Sequence, residues 1–166
     1  MGKKTAFITG ANGISGTAIL EWFVDKTKAE DWDIIVTSRS PFKTTVTDAR
    51  VSFIALDYTK DVDTLAAQMK ESCASVTHAY FCSYVHKDDF NELNTANAAL
   101  LENFVDSLER VAPNLSNITL QTGGKYYQVH LMPVPSPAKE DDPRMEGPIP
   151  NFYFPQEDKL AAAQVG

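Results

Sequence analysis

A glycine-rich segment near the start of the chain constrains the fold more than any other feature. Residues 5–9 are typical of a short apolar strand, Gly10, Gly13 and Gly16 follow, and a helical pattern then runs to about Lys26. The first glycine allows a sharp turn, the second lets the backbone approach a bulky anion, and the third lets the helix pack closely on the strand. The unpaired N–H groups that begin the helix favour a pyrophosphate at this turn. The alternative is a tight turn that binds no ligand.

Strand and helix patterns alternate along the rest of the chain. Further strands are predicted at residues 33–38, 51–57, 76–84 and 117–122, and further helices at 63–73, at 88–111 and from about residue 155. The second strand is apolar throughout, as expected when helices cover both faces of a sheet. We predict an α/β fold, a Rossmann-like doubly wound parallel sheet of about five strands in the order 3-2-1-4-5 with flanking helices. The apolar face of the first helix is predicted to contain Ala18, Ile19, Trp22 and Phe23.

Length and charge limit the function classes. The chain has 166 residues, enough for one domain with a core, and its net charge of −7 argues against nucleic acid or an anionic membrane as the main partner. Cys73 and Cys82 show no pairing logic, and the chain has no signal peptide and no long apolar run, so an intracellular, cytoplasmic protein is expected. Metal ligands are not expected, because His78, His86 and His130 are scattered.

Basic and acidic residues at strand ends indicate the cofactor. Arg39 follows the second strand between Ser38 and Ser40, where a guanidinium matches the 2′-phosphate of NADP(H); the alternative is a solvated surface arginine. Asp57 is the last residue of the predicted third strand, where a carboxylate either meets the adenine or caps the next helix at Thr59 or Asp61.

The fourth strand and the long helix after it contribute polar groups near the predicted site. By strand order, the end of the fourth strand at residues 82–84 flanks the cofactor. Cys82 itself is interpreted as a small core residue, because no base is placed to activate it. Asn97 falls on the apolar stripe of the long helix, so its amide either bridges backbone groups or belongs to an active-site network.

The composition changes after the fifth strand. Seven of the nine prolines fall between Pro133 and Pro155, which predicts a long irregular loop of the kind that is functional or disordered. We therefore divide the chain into a predicted nucleotide-binding core at residues 1–125 and a proline-rich active-site loop with the start of the next helix at residues 126–166.

Two segments late in the chain are typical of one family. They are Leu120-Gln121-Thr122-Gly123-Gly124-Lys125-Tyr126-Tyr127 and Asn151-Phe152-Tyr153-Phe154-Pro155-Gln156-Glu157-Asp158. With the glycine turn and Arg39, they make nearly the whole chain resemble the progesterone 5β-reductase and iridoid synthase-like (PRISE) enzymes. These are an atypical extended branch of the short-chain dehydrogenase/reductase superfamily. Ordinary members carry tyrosine and lysine four residues apart on one helix, whereas the residue four after Tyr153 is Glu157. The family's lysine follows strand five and matches Lys125, and its tyrosine matches Tyr153.

The resemblance implies an NADPH-dependent oxidoreductase of secondary metabolism that reduces the activated C=C bond of an enone or enal. Its substrate would be a small enone or a terpenoid-like or steroid-like carbonyl. Tyr153 would stabilise the enolate, and Lys125 would bind the nicotinamide ribose and lower the pKa of the tyrosine. Both residues are expected on loops beyond the strand ends. The candidate cofactor-binding residues are Thr9, Gly10, Asn12, Gly13, Ile14, Ser38, Arg39, Ser40, Asp57, Tyr58, Ser83, Tyr84, Gln121, Thr122 and Gly123.

The family continues beyond the length of this chain, into a further strand and a largely helical region over the substrate. The chain is therefore expected to be a truncated form, a proteolytic fragment or a natural half-length protein, lacking the substrate domain. An unpaired edge at the fifth strand would invite a homo-oligomer. Two alternatives to the reductase remain: a non-redox Rossmann-fold protein, as a nucleotide-sensing regulator or a cyclase- or isomerase-type enzyme, and a chain that binds nothing.

Overall fold

The fold is a parallel sheet with helices on both faces, in a computed structural model that describes residues 2–163. The predicted strand order is confirmed as β3-β2-β1-β4-β5. In chain order the elements are β1 (Lys4–Thr9), α1 (Ile14–Lys26), β2 (Trp32–Ser38), β3 (Val51–Ala55), α2 (Val62–Met69), β4 (His78–Phe81), α3 (Phe90–Val111), β5 (Asn117–Leu120), a short 3₁₀ helix (Gly124–Tyr127) and α4 (Tyr153–Ala163). Residue 1 and residues 164–166, the outermost positions of the two predicted segments, lie outside the described residues.

Alternate residues of the central strands supply two separate cores. Ile8 and Ile34 face α1 and pack with its Leu20, whereas Phe7 and Ile35 face α2 and α3. Successive strand side chains point to opposite faces of a sheet, so a strand covered on both faces has to be apolar at every position. The second strand is apolar throughout because its side chains contribute to both cores.

The last three strands end earlier than their apolar runs predicted, whereas β1 and β2 end at the predicted residues. β4 stops at Phe81 rather than at residue 84, because its neighbour β1 ends at Thr9. The hydroxyl of Thr9 then takes over the role of a strand partner and accepts hydrogen bonds from the backbone N–H groups of Cys82 and Ser83, at 2.9 and 3.1 Å. The segment that follows β4 is thus held at the end of the sheet without being part of it.

Helix α1 is rotated relative to the face predicted from its sequence. Its buried residues are Gly16, Leu20 and Phe23, whereas Trp22 is 55% exposed and Ala18 is also exposed. Gly16 packs directly against the turn that precedes the helix, and this contact sets the side of α1 that faces the sheet. Of the predicted apolar face, Phe23 is buried and Ile19 half-buried.

Helix α4 begins at Tyr153, not near residue 155 as predicted, so Tyr153 is a helical residue and not a loop residue. Pro155 stands in the first turn of the helix, where a missing N–H removes no intrahelical bond. The side-chain oxygen of Asn151 accepts a hydrogen bond from the backbone N–H of Tyr153 at 3.1 Å and so fixes the helix start. The loop between the 3₁₀ helix and α4 is irregular, as predicted, and Arg144 ties it to α4 by an ion pair with Glu157 at 2.6 Å.

Two negative findings concern residues 2–163 alone. No helix in this range is long and apolar enough to cross a membrane. The same range has no cluster of three or more histidine, cysteine, aspartate or glutamate residues that could hold a metal ion.

Candidate functional site

The turn after β1 packs so tightly that neither Gly10 in the turn nor Gly16 in α1 has space for a side chain. Gly10 adopts a φ of +64°, and a Cβ there would lie 2.6 Å from the carbonyl oxygen of Cys82. A Cβ on Gly16 would collide with the carbonyl oxygen of Gly10. The backbone N–H of Ala11 donates to the carbonyl of Thr37 at 3.1 Å and anchors the turn to β2. Glycine is therefore required by the close approach of three segments.

The start of α1 leaves its backbone donors free for an anion. Gly13 is the N-cap, it supplies no side-chain hydrogen bond, and the first turn contains no acidic residue. The side chain of Ile14 is 93% exposed and does not line the neighbouring cleft, so Ile14 has only its backbone N–H to offer. The N–H groups of a first helical turn have no intrahelical partners and carry partial positive charge.

A cleft of about 390 Å³ lies at the carboxyl ends of the strands. Its volume falls within the range of about 300–1,000 Å³ that is typical of small-molecule and cofactor sites. Ten of the predicted cofactor-binding residues line it, namely Gly10, Asn12, Gly13, Ser38, Arg39, Ser40, Asp57, Tyr58, Ser83 and Tyr84. The structure thus brings together residues that are far apart in the sequence, because parallel strands end at one edge of the sheet.

Asn12 holds the segment that follows β2. Its side-chain N–H₂ donates to the hydroxyls of Ser38 and Ser40, at 3.1 and 3.0 Å, and to the carbonyl of Pro41 at 3.0 Å. Its side-chain oxygen accepts from the backbone N–H of Lys43 at 2.9 Å. The glycine turn is therefore joined to both sides of residue 39, a role for Asn12 that its place in the motif did not predict.

Arg39 and Asp57 stand close together at the cleft. The side chain of Arg39 is exposed, and none of the ion pairs within residues 2–163 involves it. Partial burial acts to raise the pKa of Asp57, but hydrogen bonds from Thr59 and the charge of Arg39 outweigh it and hold the pKa below its ordinary value. Asp57 forms a turn with Thr59 and does not cap the next helix, since Asp61 caps α2.

Thr9 lies beneath the cleft, and Cys82 lines it. Thr9 is fully buried and does not line the cleft, and its hydroxyl holds the backbone of Ser83, which does. Burial raises the pKa of Cys82 to about 11, so this thiol stays protonated at neutral pH.

A smaller cavity of about 180 Å³ adjoins the cleft and contains the predicted catalytic tyrosine. The two cavities share Cys82, Ser83 and Tyr84. The predicted residues Gln121 and Thr122 line the smaller cavity together with Tyr153. A Cβ on Gly123 would lie 3.6 Å from the hydroxyl oxygen of Tyr153, so Gly123 borders the same group.

The predicted pairing of Lys125 with Tyr153 is replaced by another contact. The ammonium of Lys125 donates to the hydroxyl of Tyr84 at 3.2 Å and lies 5.5 Å from the centre of the Tyr84 ring. Burial, followed by the neighbouring Tyr84, raises the pKa of Tyr153 above its ordinary value. The lysine charge is thus directed at Tyr84 and burial dominates the pKa of Tyr153, while the effect of Lys125 on that pKa stays a prediction for the cofactor-bound site.

The comparison with protein families decides what this arrangement belongs to. The family described as the PRISE-like Rossmann-fold domain matches residues 6–166, nearly the whole chain. The chain belongs to the PRISE-like family. The resemblance inferred from the two late segments and the glycine turn is confirmed.

Three relatives of this PRISE-like chain are named as a dehydrogenase, a reductase and an enol synthase. The short chain dehydrogenase gsfE of Penicillium aethiopicum is 63% identical over 98% of this chain and 44% of its own length. The 3-oxo-Δ4,5-steroid 5β-reductase of Arabidopsis thaliana is 30% identical over 95% of this chain and 41% of its own length. The (S)-8-oxocitronellyl enol synthase ISY1 of Nepeta cataria is 29% identical, with the same two coverages. The PRISE-like chain therefore spans less than half the length of these relatives.

Solved structures share the fold of the PRISE-like chain. The Bordetella bronchiseptica enzyme WbmG, solved in complex with NAD, has a TM-score of 0.69 at 17% identity and covers 99% of this chain and 50% of its own. A short chain dehydrogenase from Burkholderia cenocepacia, solved with NADP, has a TM-score of 0.65 at 14% identity, with coverages of 98% and 64%. At these identities the likeness concerns the fold.

Asn151 is a residue of the PRISE-like site whose role the sequence reasoning missed. Its side-chain N–H₂ donates to the carbonyls of Lys125 and Tyr126, at 2.8 and 3.1 Å, and its oxygen accepts from the N–H of Tyr153. A single buried amide thus fixes the backbones of both predicted catalytic residues. The signal was present, because an asparagine just before a helix is a known capping residue.

Asn97 has the first of its two predicted roles, the bridging of backbone groups. Its side chain bridges backbone groups: the oxygen accepts from the N–H of Val85 at 3.0 Å, and the nitrogen donates to the carbonyls of Val85 and Leu93 at 2.8 and 2.9 Å. The side-chain nitrogen of Gln156 donates to the backbone carbonyl of Asn97 at 2.6 Å. These bonds join α4 to α3 and to the segment that carries Tyr84.

Proposed function

We propose that this chain is the cofactor-binding part of an NADPH-dependent reductase of activated C=C bonds. The observation that carries the proposal is a pair of cavities that share Cys82, Ser83 and Tyr84, the larger lined by Arg39 and the smaller by Tyr153. In this proposal residues 1–125 hold the nucleotide and residues 126–166 supply the active-site loop. The names of the relatives support an oxidoreductase of the short-chain dehydrogenase/reductase kind.

The residues present fit an NADP(H) molecule. Gly10 has no space for a side chain, so the glycine turn passes close to the end of β4. The backbone N–H groups at the start of α1, which follow this turn, would bind the pyrophosphate. Arg39 and the two hydroxyls beside it would bind the 2′-phosphate, because a guanidinium matches a phosphate in charge and geometry. When bound, NADPH supplies the hydride that reduces the β-carbon.

Tyr153 would act on the substrate carbonyl. Reduction of an enone at its β-carbon places negative charge on the carbonyl oxygen, and a hydroxyl directed at that oxygen stabilises the charge. Because the pKa of Tyr153 lies above its ordinary value, the phenol is protonated at neutral pH and can donate this hydrogen bond. Lys125 would bind the nicotinamide ribose and position Tyr84 through their hydrogen bond.

The names of the relatives support a substrate class. The names of two relatives refer to a 3-oxo-steroid and an oxocitronellyl enol. We therefore propose a small enone or a terpenoid-like or steroid-like carbonyl as the substrate.

Nucleotide titrations test the cofactor assignment. We expect the purified chain to bind NADPH more tightly than NADH, and Arg39→Gln to weaken NADPH binding about 10- to 100-fold with little effect on NADH, since a hydrogen bond to a charged group contributes about 1.5–3 kcal/mol. Arg110→Gln is the matched control, because Arg110 is an exposed arginine on α3 that pairs with Asp63 and does not line the cleft. Equal affinity for both nucleotides would contradict the NADP assignment, and no binding of either would contradict the proposal.

One observation favours a second candidate, a nucleotide-binding protein without hydride transfer. The ammonium of Lys125 donates to Tyr84, and burial raises the pKa of Tyr153, so the hydrogen bond of Lys125 is directed at Tyr84 and not at the acid group of the proposed reduction. Incubation with NADPH and a simple enone separates the two functions. Consumption of NADPH supports the reductase, and tight binding without consumption supports a regulator or a cyclase- or isomerase-type enzyme.

A further inference from the structure

Gln156 is a buried polar residue on the helix that carries Tyr153. Its side chain is 3% exposed and lines the smaller cavity. Residues three apart on a helix lie on the same face, so Gln156 follows Tyr153 on the side of α4 that borders this cavity. Nothing in the proposed reduction uses it so far.

Of the two polar atoms in the Gln156 side-chain amide, one has a hydrogen-bond partner in the protein. Its nitrogen donates to the backbone carbonyl of Asn97 at 2.6 Å, and its oxygen has no hydrogen-bond partner among residues 2–163. The orientation of the amide is determined by chemistry, because a backbone carbonyl only accepts and must therefore face the N–H₂ group. The free group is thus the carbonyl oxygen, and a buried acceptor without a donor is unfavourable.

The cavity around this oxygen suits one neutral, ring-sized group. Its volume of about 180 Å³ is below that of a site for a whole ligand, about 300–1,000 Å³. Its described lining includes the hydroxyls of Ser83 and Thr122 and contains no charged side chain. Because Cys82, Ser83 and Tyr84 line both this cavity and the cleft, one end of a dinucleotide held in the cleft would reach it.

We propose that the side-chain oxygen of Gln156 accepts a hydrogen bond from a neutral donor of the nicotinamide riboside, either a ribose hydroxyl or the carboxamide N–H. This inference rests on the proposed binding of NADP(H). Gln156 would then be a cofactor-binding residue outside the glycine turn and the Arg39 segment. The nicotinamide riboside would supply the donor that the buried oxygen of Gln156 lacks.

Two ligands and a matched pair of variants test the inference. Gln156→Met removes the acceptor, and Asn94→Met is the control, because the Asn94 oxygen also lacks a partner among residues 2–163 but lines neither cavity. Calorimetry measures the affinity for NADP⁺ and for adenosine 2′,5′-bisphosphate, which lacks the nicotinamide riboside. We expect Gln156→Met to weaken NADP⁺ binding about three- to tenfold and to leave the bisphosphate unchanged, as expected for loss of one hydrogen bond. Asn94→Met should change neither.

A third ligand identifies the donor. The 3-acetylpyridine analogue of NADP⁺ has a methyl group in place of the amide nitrogen. If the carboxamide is the donor, the wild type binds this analogue more weakly than NADP⁺, and Gln156→Met abolishes the difference. If a ribose hydroxyl is the donor, Gln156→Met weakens both ligands equally.

Several outcomes would overturn the inference. Unchanged NADP⁺ affinity in Gln156→Met means that the oxygen contacts no part of the cofactor. Equal loss for NADP⁺ and the bisphosphate means that Gln156 acts through the fold, and the bisphosphate titration also reports whether the variant folds. If the wild type binds the bisphosphate and NADP⁺, the proposed cofactor site stands whatever Gln156 does; if it binds neither, both proposals fail.

Discussion

At the scale of single residues, the hydroxyl of Tyr153 is the group on which the proposed chemistry depends most. Removing it in Tyr153→Phe keeps the ring contact with Phe152, whose centre lies 4.3 Å away, and deletes only the donor for the enolate. We expect turnover of an enone to fall about 100-fold or more, as for loss of one donor at a developing oxyanion, with NADPH affinity unchanged. Steady-state kinetics and NADPH titration measure the two effects.

A control and a pH profile accompany this variant. Tyr127→Phe removes a phenol that donates to the carbonyl of Lys139 and lines neither cavity, so its turnover should match the wild type. Because burial raises the pKa of Tyr153, wild-type turnover should lose this donor only above about pH 10, the ordinary value for tyrosine. Unchanged turnover in Tyr153→Phe would remove Tyr153 from the mechanism.

At the scale of elements, one arginine outside the site closes the end of α1. The Arg50 guanidinium donates to the carbonyls of Val24 and Thr27, at 3.0 and 3.1 Å, and to the carboxylate of Asp48 at 2.8 Å. The last carbonyls of a helix have no partner within it, so Arg50 satisfies two of them from the segment before β3. Its side chain is almost fully buried.

Removing this arginine should destabilise the fold. We expect Arg50→Met to lower the free energy of unfolding by about 2–3 kcal/mol, because buried charge-assisted hydrogen bonds are lost and Asp48 loses its partner. Hydrogen bonds from Arg50 hold the pKa of Asp48 below its ordinary value, so this stabilisation is present at neutral pH and decreases as the pH falls below about 4. Urea unfolding at several pH values measures both effects. Arg110→Met, which removes an exposed ion pair, should change stability by less than about 1 kcal/mol.

At the scale of the whole molecule, cofactor binding should be visible as thermal stabilisation. A ligand that binds only the folded state adds about 2.7 kcal/mol at 100 times its Kd, and a chain of this size gains about 2–4 °C per kcal/mol. NADPH at that excess should therefore raise the Tm by about 5–10 °C. The same concentration of NADH should raise it much less. Equal shifts for the two nucleotides would show that Arg39 does not select the 2′-phosphate.

Much of the fold and part of the site could be predicted because they depend on local physics. The apolar second strand follows from side-chain periodicity, and the glycine turn before α1 follows from the space that a Cβ requires. The strand order follows from the doubly wound pattern that a glycine turn between a strand and a helix indicates. Since parallel strands end at one edge, the clustering of Arg39, Asp57 and Ser83 at one cleft followed as well.

The remaining features depend on segments that meet only in the tertiary structure. Gly16 packs against the turn, so α1 presents a different face to the sheet from the one predicted. The ammonium of Lys125, which was expected near Tyr153, donates a hydrogen bond to Tyr84. Asn12 reaches the loop after β2, and Gln156 reaches Asn97, 59 residues earlier. The sequence by itself determined which residue types stand at the strand ends, because periodicity and backbone sterics act over a few residues. Only the tertiary structure decided which of their polar atoms are paired and which remain free, because these pairings join residues that are distant along the chain.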